Sequence, residues 1–508
     1  MDDPGSRVAN AAKRVDFFVN VLMLNPPFHP RYSRSQRSPA VIKSGVMYYP
    51  IWLACATGVL EQAGFNVQLV DAPAAGYDLE YVLDLAAEFR PRLVVVDTST
   101  PSIHNDVEVA EAIKSRVSEA FLLLVGPHVS ALPEASLQLS PAIDAVARRE
   151  YDYTVRALAQ LLDGGGDLGT THCEGLSYRE QDGTIIHNSD RPFIEDLDAL
   201  PFVSQVYKRH LRVEDYFYSI TRYPEVTIVT GRGCPHRCTY CLWPQTLIGR
   251  RYRKRSVANV ADEFEFIAHE LPQVKEVFIE DDTLTVSQKR AVALAQELIR
   301  RGNRLPFTAN ARADVSYETL RWLKQAGLRL LCVGFESGDQ QVLEAMHKGI
   351  TVEQFYDFRE AARRAGVLVH GCFMAGNPGE TRESLAKTLK LAQKLRPDTA
   401  QFFPLMVYPG TEAYEWAARN GYLAADDFRD WLTPDGLHRS TVSRPDLSAE
   451  EVVAWCDHAR RSFYLRPRYV AGKAWEVIAH PREARRIFKA AGVFARYLFR
   501  SSLPDGAN

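Results

Sequence analysis

The chain has 508 residues, 46% of them hydrophobic and 24% charged, with a formal net charge of −2. That length allows two or three domains with sizeable cores, and the balanced charge offers no basic excess to recruit nucleic acid as a partner. Eight cysteines are too few for a secreted disulfide scaffold, no run behind the N-terminus reads as a signal peptide, and none is apolar enough to span a bilayer, so a cytoplasmic location is expected.

From the N-terminus, short apolar runs alternate with amphipathic stretches. Residues 16–24 read as a buried strand ending at Asn25-Pro26-Pro27, residues 52–63 as a helix stopped by Gly64, and residues 66–71 as a second strand. A helix over 81–89, a strand over 93–97, a helix over 107–117, strands over 121–126 and 142–147 and a helix over 153–162 follow. Continuous apolar strands separated by helices predict a parallel, doubly wound sheet covered on both faces. Ligands of such sheets bind beyond the carboxyl ends of the strands. The loops Thr98-Ser99-Thr100-Pro101 and Gly126-Pro127-His128-Val129-Ser130 lie at those ends. This unit is drawn over residues 15–165.

Gly164-Gly165-Gly166 breaks the pattern, and residues 166–222 read as a hairpin and linker. The hairpin pairs 175–179 with 184–187 around Asp182-Gly183, and residues 197–216 connect onward. From Val226 the alternation resumes, with strands over 226–229, 276–280, 306–310, 329–334, 368–374 and 400–407. Ser256 and Ser316 sit where helix caps are wanted, and Thr351 with Gln354 forms a capping box. Six βα units predict a partial barrel over 223–425, two units short of a closed one and open to a large substrate. Residues 426–508 are expected to be a helical extension. Within it, residues 466–500 interleave basic groups with Trp475, Ile487, Phe488 and Tyr497. A terminal helix packed by its apolar face is favoured over one lying on an anionic membrane. The fold class is thus α/β: a Rossmann-like parallel sheet, a (β/α)6 partial barrel and a helical C-terminal region.

The most specific signal is the run Gly231-Arg232-Gly233-Cys234-Pro235-His236-Arg237-Cys238-Thr239-Tyr240-Cys241. Cys234, Cys238 and Cys241, spaced Cys-x3-Cys-x2-Cys, can hold three irons of a [4Fe–4S] cluster and leave the fourth to an outside ligand, whereas electron carriers usually supply four cysteines. A zinc site would need His236 or a distant Cys as a fourth ligand, and such sites usually come as two separated pairs. Further polar loops follow the later strands: Glu280-Asp281-Asp282, Asn310-Ala311-Arg312, Gly334-Phe335-Glu336-Ser337-Gly338, Gly376-Asn377-Pro378-Gly379-Glu380-Thr381 and Tyr408-Pro409-Gly410-Thr411. Functional groups of βα barrels gather at that end. Cys332 and Cys372 fall inside strands and read as small buried hydrophobes. Arg250, Arg251, Arg253, Lys254 and Arg255 read equally as a solvated turn or as charges facing an anionic ligand.

On these motifs the chain resembles radical S-adenosylmethionine (SAM) enzymes, in the subgroup with an N-terminal cobalamin-binding domain, from Phe17 to Arg468. The resemblance implies that Cys234, Cys238 and Cys241 hold the cluster, that SAM chelates the open iron, and that one electron cleaves it to methionine and a 5′-deoxyadenosyl radical. Tyr240 would approach the adenine, and Glu336 and Ser337 the ribose. One of Glu280, Asp281 and Asp282 would take the methionyl amino group in place of the usual Gly-Gly-Glu, and Arg312 the carboxylate. Gly376 opens the loop that matches the one after the family's fifth strand.

In the first unit, Asn25, Thr98, Thr100, Gly126, His128, Ser130 and Glu150 fall in loops that resemble those holding cobalamin in relatives. No Asp-x-His-x-x-Gly occurs to supply a lower imidazole ligand, and His128 reads as a loop histidine making an ordinary hydrogen bond. The implied cofactors are a [4Fe–4S] cluster, SAM and cobalamin. The implied partners are a small-molecule substrate and an external one-electron reductant, of flavodoxin or ferredoxin type or a dedicated reductase. The expected reaction is C-methylation of an unactivated carbon of a natural-product intermediate. The alternative is a cobalamin-independent dehydration or rearrangement of an aminosugar or polyol.

Overall fold

A computed structural model describes residues 19–42, 45–166, 168–169, 172–180 and 182–479. The first sheet is built from β1 (Asn20–Asn25), β2 (Asn66–Asp71), β3 (Leu93–Asp97), β4 (Phe121–Val125), β5 (Ala145–Ala147), β6 (Leu176–Arg179) and β7 (Ile185–His187), in the order β2-β1-β3-β4-β5-β6-β7. The first five strands run parallel, and Leu93 to Val96 and Leu122 to Val125 are fully buried, as coverage by helices on both faces demands. The reversal of strand order between β1 and β3 marks a switch point at their carboxyl ends. The hairpin does not stand apart: β6 pairs antiparallel with β5 and so covers what would be an open edge.

The second sheet begins with β8 (Glu225–Ile228). A short antiparallel ribbon, β9 (Gly231–Arg232) with β10 (Arg253–Lys254), then frames the cysteine loop. The remaining strands are β11 (Glu276–Ile279), β12 (Phe307–Ala311), β13 (Leu328–Glu336), β14 (Leu368–Ala375) and β15 (Thr399–Pro404). All six long strands are parallel, in the order β15-β14-β13-β12-β11-β8, so the barrel is open between β8 and β15. Ser256, Ser316 and Thr351 cap their helices as expected, the last with its reciprocal Gln354 bond. The last strand stops at Pro404 instead of reaching residue 407, and the Val407 amide donates to Thr441 Oγ1 at 2.9 Å. The fourth strand, β13, is longer than expected because it carries Glu336, after a register shift beyond Gly334.

A helix over Ala449–Tyr464 closes over β15, with Tyr464 Oη donating to the Ala400 carbonyl at 2.7 Å. A further helix spans Pro467–Ala479, with Trp475 exposed. Ile487, Phe488 and Tyr497 of the expected basic helix lie outside the described residues, as do residues 16–18 of the first expected strand. Among the described residues no helix is long and apolar enough to cross a membrane.

The two sheets are joined by a buried ion cluster. Arg253 donates to both carboxylate oxygens of Glu150, at 2.6 and 2.8 Å. Arg232 reaches Glu150 at 3.4 Å and both oxygens of Asp152 at 3.0 and 3.1 Å. Arg255 pairs with Glu263 at 2.5 Å. Arg250 and Arg251 pair with Glu412 and Glu195, so the basic turn is neither simply solvated nor turned as a whole to a ligand. Removing Glu150 leaves the buried Arg253 guanidinium without a carboxylate and Arg232 with Asp152 alone. Glu150→Ala is expected to destabilise the protein by about 3 kcal/mol or more, read as a lowered unfolding temperature in calorimetry.

Candidate active site

The glycines flanking Arg232 decide whether the cysteine loop can form. Gly233 has φ +84°, and a Cβ there would run into the Arg251 carbonyl across the ribbon, so only glycine serves. Cys234 and Cys238 are buried, Cys241 is partly buried, and all three line one cavity of about 760 Å³ inside the open barrel. The Cys234 amide donates to Gly249 O, and Gln245 Nε2 donates to the carbonyls of Thr239 and Cys241. Burial pushes the Cys234 thiol up to about 11, whereas a hydrogen bond from Cys241, aided by the charges of Lys348 and Arg312, pulls Cys238 down to about 6. His236, pushed down to about 4 by burial and by Arg312, is neutral on the cavity wall.

The three adjacent carboxylates after β11 have three different environments. Glu280 meets the Arg37 guanidinium and accepts from Asn310 Nδ2 at 3.2 Å. Asp281 accepts from the amides of Thr230 and Gly231 at 2.6 and 3.1 Å and from Thr230 Oγ1 at 2.6 Å, tying the entry of the cysteine loop to the next strand. Asp282 lines the cavity, and its Oδ2 is buried with no hydrogen-bond partner. Burial raises its pKa, opposed by Arg37.

Across the cavity, Glu336 adopts φ +64°, which is unusual for a residue with a side chain. Its Oε1 accepts from Lys348 Nζ at 2.9 Å and from Tyr240 Oη at 3.1 Å, while Oε2 is buried without a partner. Burial works against the Lys348 charge, but Glu336 raises its pKa on balance. Arg312 lines the same cavity and donates to the carbonyls of Lys348 and Gly349 at 2.7 and 3.2 Å.

Other expected residues serve the backbone. Ser337 is fully buried, 3.2 Å from Thr388 Oγ1, and accepts from the Asp339 amide. The Gly376 amide donates to Glu380 Oε2 at 2.6 Å. Neither residue lines the cavity.

The expected loops of the first sheet are closed by the chain itself. Arg34, fully buried, donates to Asn25 Oδ1 and Pro26 O and pairs with Asp106 at 2.5 Å. Tyr32 Oη is 2.8 Å from Ser99 Oγ. Thr98 Oγ1 donates to Val125 O, Ser130 Oγ to Gly126 O, and His128 Nδ1 sits 3.1 Å from Thr100 Oγ1, the ordinary hydrogen bond expected of it. The His128 ring meets Phe428 edge-on. Asn25, Thr98, Thr100, Gly126, His128 and Ser130 therefore stand apart from the cavity, and Glu150 is committed to the interface clamp.

The structure brings to the site Arg37, Ser38 and His438, which no motif marked, the last two beside Tyr408 of the final strand-end loop. Arg37 bridges the β11 loop and lies 4.4 Å from the Trp243 ring centroid. Ser38, Tyr408 and His438 form a hydrogen-bonded set on the outer wall. Cys332 and Cys372, expected as inert hydrophobes, line the cavity beside His370. The lone charge in Met346-His347-Lys348-Gly349 was the one sequence hint of Lys348. Lys348→Met is expected to cost about 3–5 kcal/mol by stranding Glu336, with part of that recovered in Lys348→Met/Glu336→Gln, as measured by denaturant titration.

Residues 228–392 match the family model of the radical SAM superfamily, and residues 37–159 that of the B12 binding domain. Over 428 residues the chain is 30% identical to a protein of Pyrococcus horikoshii named as uncharacterized methyltransferase PH0819, covering 84% of this chain and 90% of that one. An anaerobic magnesium-protoporphyrin IX monomethyl ester cyclase of Rubrivivax gelatinosus is 27% identical over 372 residues, 72% of this chain and 66% of its own. The fold is similar to that of the radical SAM methyltransferase TsrM of Kitasatospora setae, solved with tryptophan and a SAM analogue, at a TM-score of 0.65 and 20% identity over 87% of this chain and 88% of that one.

Proposed function

The chain belongs to the radical SAM superfamily, in the group that carries a B12-binding domain, and on that premise we propose that it methylates an unactivated carbon of a small natural-product intermediate. The observation that carries this reading is the meeting, in one cavity, of the cysteine loop, two buried carboxylate oxygens without partners and a large remaining volume. Bound there, a [4Fe–4S] cluster and SAM would supply a one-electron cleavage that generates a carbon-centred radical, and a corrinoid would supply the methyl group.

The lining fits the first two groups. Three thiols flanked by Lys348 and Arg312 suit an anionic iron–sulfur centre, and among the described residues they are not drawn into a set tight enough for a single ion. Asp282 Oδ2 is the free acceptor for an ammonium, and Glu336 Oε2 is the free acceptor for ribose hydroxyls. Tyr240, held by Glu336 and Lys348, would flank the adenine, and Arg312 would pair with the methionyl carboxylate. Glu280 and Asp281 support these groups through Arg37 and Thr230, and Ser337 and Gly376 shape the turns around them.

For the corrinoid, the cavity offers the apolar Val41, Trp243 and Leu437, with Arg37 over the Trp243 ring and Ser38, Tyr408 and His438 among the polar groups of the same lining. The strand-end crevice that would take a nucleotide tail holds the side chains of Tyr32 and Arg34. A corrinoid ring would be held by that lining and its tail by the loops of Thr98 and Gly126, where Tyr32 and Arg34 now sit. Apolar walls exclude water from a reactive carbon, and the fixed carboxylates keep SAM and substrate in register. The electron would come from an external flavodoxin- or ferredoxin-type protein or a dedicated reductase.

Anaerobic reconstitution with iron and sulfide, followed by SAM, reductant and hydroxocobalamin, is expected to give 5′-deoxyadenosine, a co-eluting corrinoid absorbance and a product heavier by one CH2. Deoxyadenosine without corrinoid retention or mass gain would point instead to dehydration, rearrangement or a cyclisation like that of the cyclase relative. Because the Asp282 pKa is raised, its carboxylate gains a proton as pH falls and loses its hold on an ammonium. SAM affinity is expected to weaken toward acid pH in isothermal titration, and Asp282→Asn to weaken it at neutral pH and flatten the profile, the two curves meeting at acid pH.

A further inference from the structure

Deep in the barrel, on the face that opens to the cavity, stand two thiols and an imidazole that the chemistry above does not use. Strands β13 and β14 set Cys332 directly opposite His370 and Gly334 opposite Cys372. His370 and Cys372, two apart on β14, point to the same side. The two sulfurs are 3.6 Å apart, too far for a bond and close to the ~3.8 Å separation of two thiolates at 2.3 Å from a tetrahedral zinc. The ligand atoms of all three side chains lie within 4.8 Å of one another, and among the described residues no other group of three meets that test.

The imidazole is prepared for a ligand's role. Thr399 Oγ1 is 2.8 Å from His370 Nδ1, which orients the ring and leaves Nε2 for a cation, in place of the Gln401 side chain that also hydrogen-bonds the imidazole. Metal-bound histidines are commonly held in this way by a polar group on the far nitrogen. His370 is buried, and burial pushes its pKa down to about 4, so the ring is neutral at physiological pH. Cys372, raised by its hydrogen bond to Cys332 and by burial, keeps its proton until a cation displaces it.

The geometry points to a second metal site: Cys332 Sγ, Cys372 Sγ and His370 Nε2 bind one thiophilic divalent cation, Zn2+ first, in the floor of the substrate cavity. Two sulfurs and one nitrogen make a soft, three-ligand set, and three protein ligands are the number found in zinc sites that keep a position open. All three line the cavity, so the fourth position faces the space where a substrate would lie. A substrate hydroxyl, amine or thiolate can take that position and fix the molecule with its target carbon toward Tyr240 and the cysteine loop. The metal site rests on its own residues; only this substrate role depends on the radical reading above.

The test counts metal in the cluster-loaded protein. After reconstitution, exposure to Zn2+ and removal of loose metal, mass spectrometry is expected to find one zinc per chain beyond the cluster iron. Zinc-edge X-ray absorption should show two sulfurs and at least one imidazole nitrogen. Cys332→Ser/Cys372→Ser is expected to lower zinc affinity at least about 100-fold, more than loss of a supporting partner costs, while keeping the cluster iron. Should that variant fail to fold, His370→Gln must lose the nitrogen scatterer and at least about 10-fold in affinity. Wild-type protein with a full cluster and no zinc, a zinc shell unchanged in either variant, or a Cys332–Cys372 disulfide under the same anaerobic conditions would overturn the site. Deoxyadenosine formation, assayed in parallel, tests the radical reading independently.

Discussion

Two guanidiniums from the ribbon around the cysteine loop converge on Glu150, a carboxylate from the other sheet, and the rest of the structure depends on that meeting. Arg232 stands two residues before Cys234 and Arg253 on the opposite arm, so both ends of the loop are anchored to the first sheet. Ion pairs this deeply buried add little net stability, because desolvation consumes most of the Coulombic gain. What they add is registry: charges this costly to leave unpaired allow one arrangement of the two sheets. Carbonyls of Ile194 and Ile248 also accept from the Arg253 guanidinium. From the other side, Asp281 and Arg290 hold Thr230, between β8 and β9. The loop is therefore held in place by the protein's own hydrogen bonds.

A second consequence concerns how neighbouring acids come to differ. Glu280, Asp281 and Asp282 are consecutive, the first two buried and the third partly so, and desolvation pushes all three upward in pKa. Arg37 and Asn310 occupy the first, backbone amides the second, and the third keeps an oxygen bare. Environment, not residue type, assigns the roles. The bare oxygen of Glu336 across the cavity has the same origin: Lys348 and Tyr240 share its other oxygen.

The frame was legible because apolar runs and their punctuation are local properties. The parallel order of the first sheet, the six strands of the open barrel and the caps at Ser256, Ser316 and Thr351 all follow from short-range pattern. The partners inside the site are not local. Arg37 is separated from Glu280 by 243 positions, in a loop with no periodicity of its own. The motif residues Ser337 and Gly376 were found in sequence, yet geometry gives them to the turns. Loops named for a cofactor at Thr98 and His128 were likewise read without the nearby Arg34, whose hydrogen bonds to Asn25 and Pro26 depend on tertiary approach.

The misreading of Cys332 and Cys372 has a more general cause. A strand of an open barrel faces helices on one side and the cavity on the other, so burial no longer distinguishes core from site. Along β14, Val369 and Phe373 pack outward, Phe373 stacking on Phe335 and Phe402, while His370, Cys372 and Met374 face the cavity. β13 places Cys332, Gly334 and Glu336 on the cavity in the same alternation. The period of two is intact, but the buried interior is the polar, soft-atom face and the outer face is the hydrophobic one. A thiol four residues from a glutamate on the same face of β13 therefore shares that glutamate's surroundings, and its neighbours on the adjacent strand, not its hydropathy, decide what it can bind.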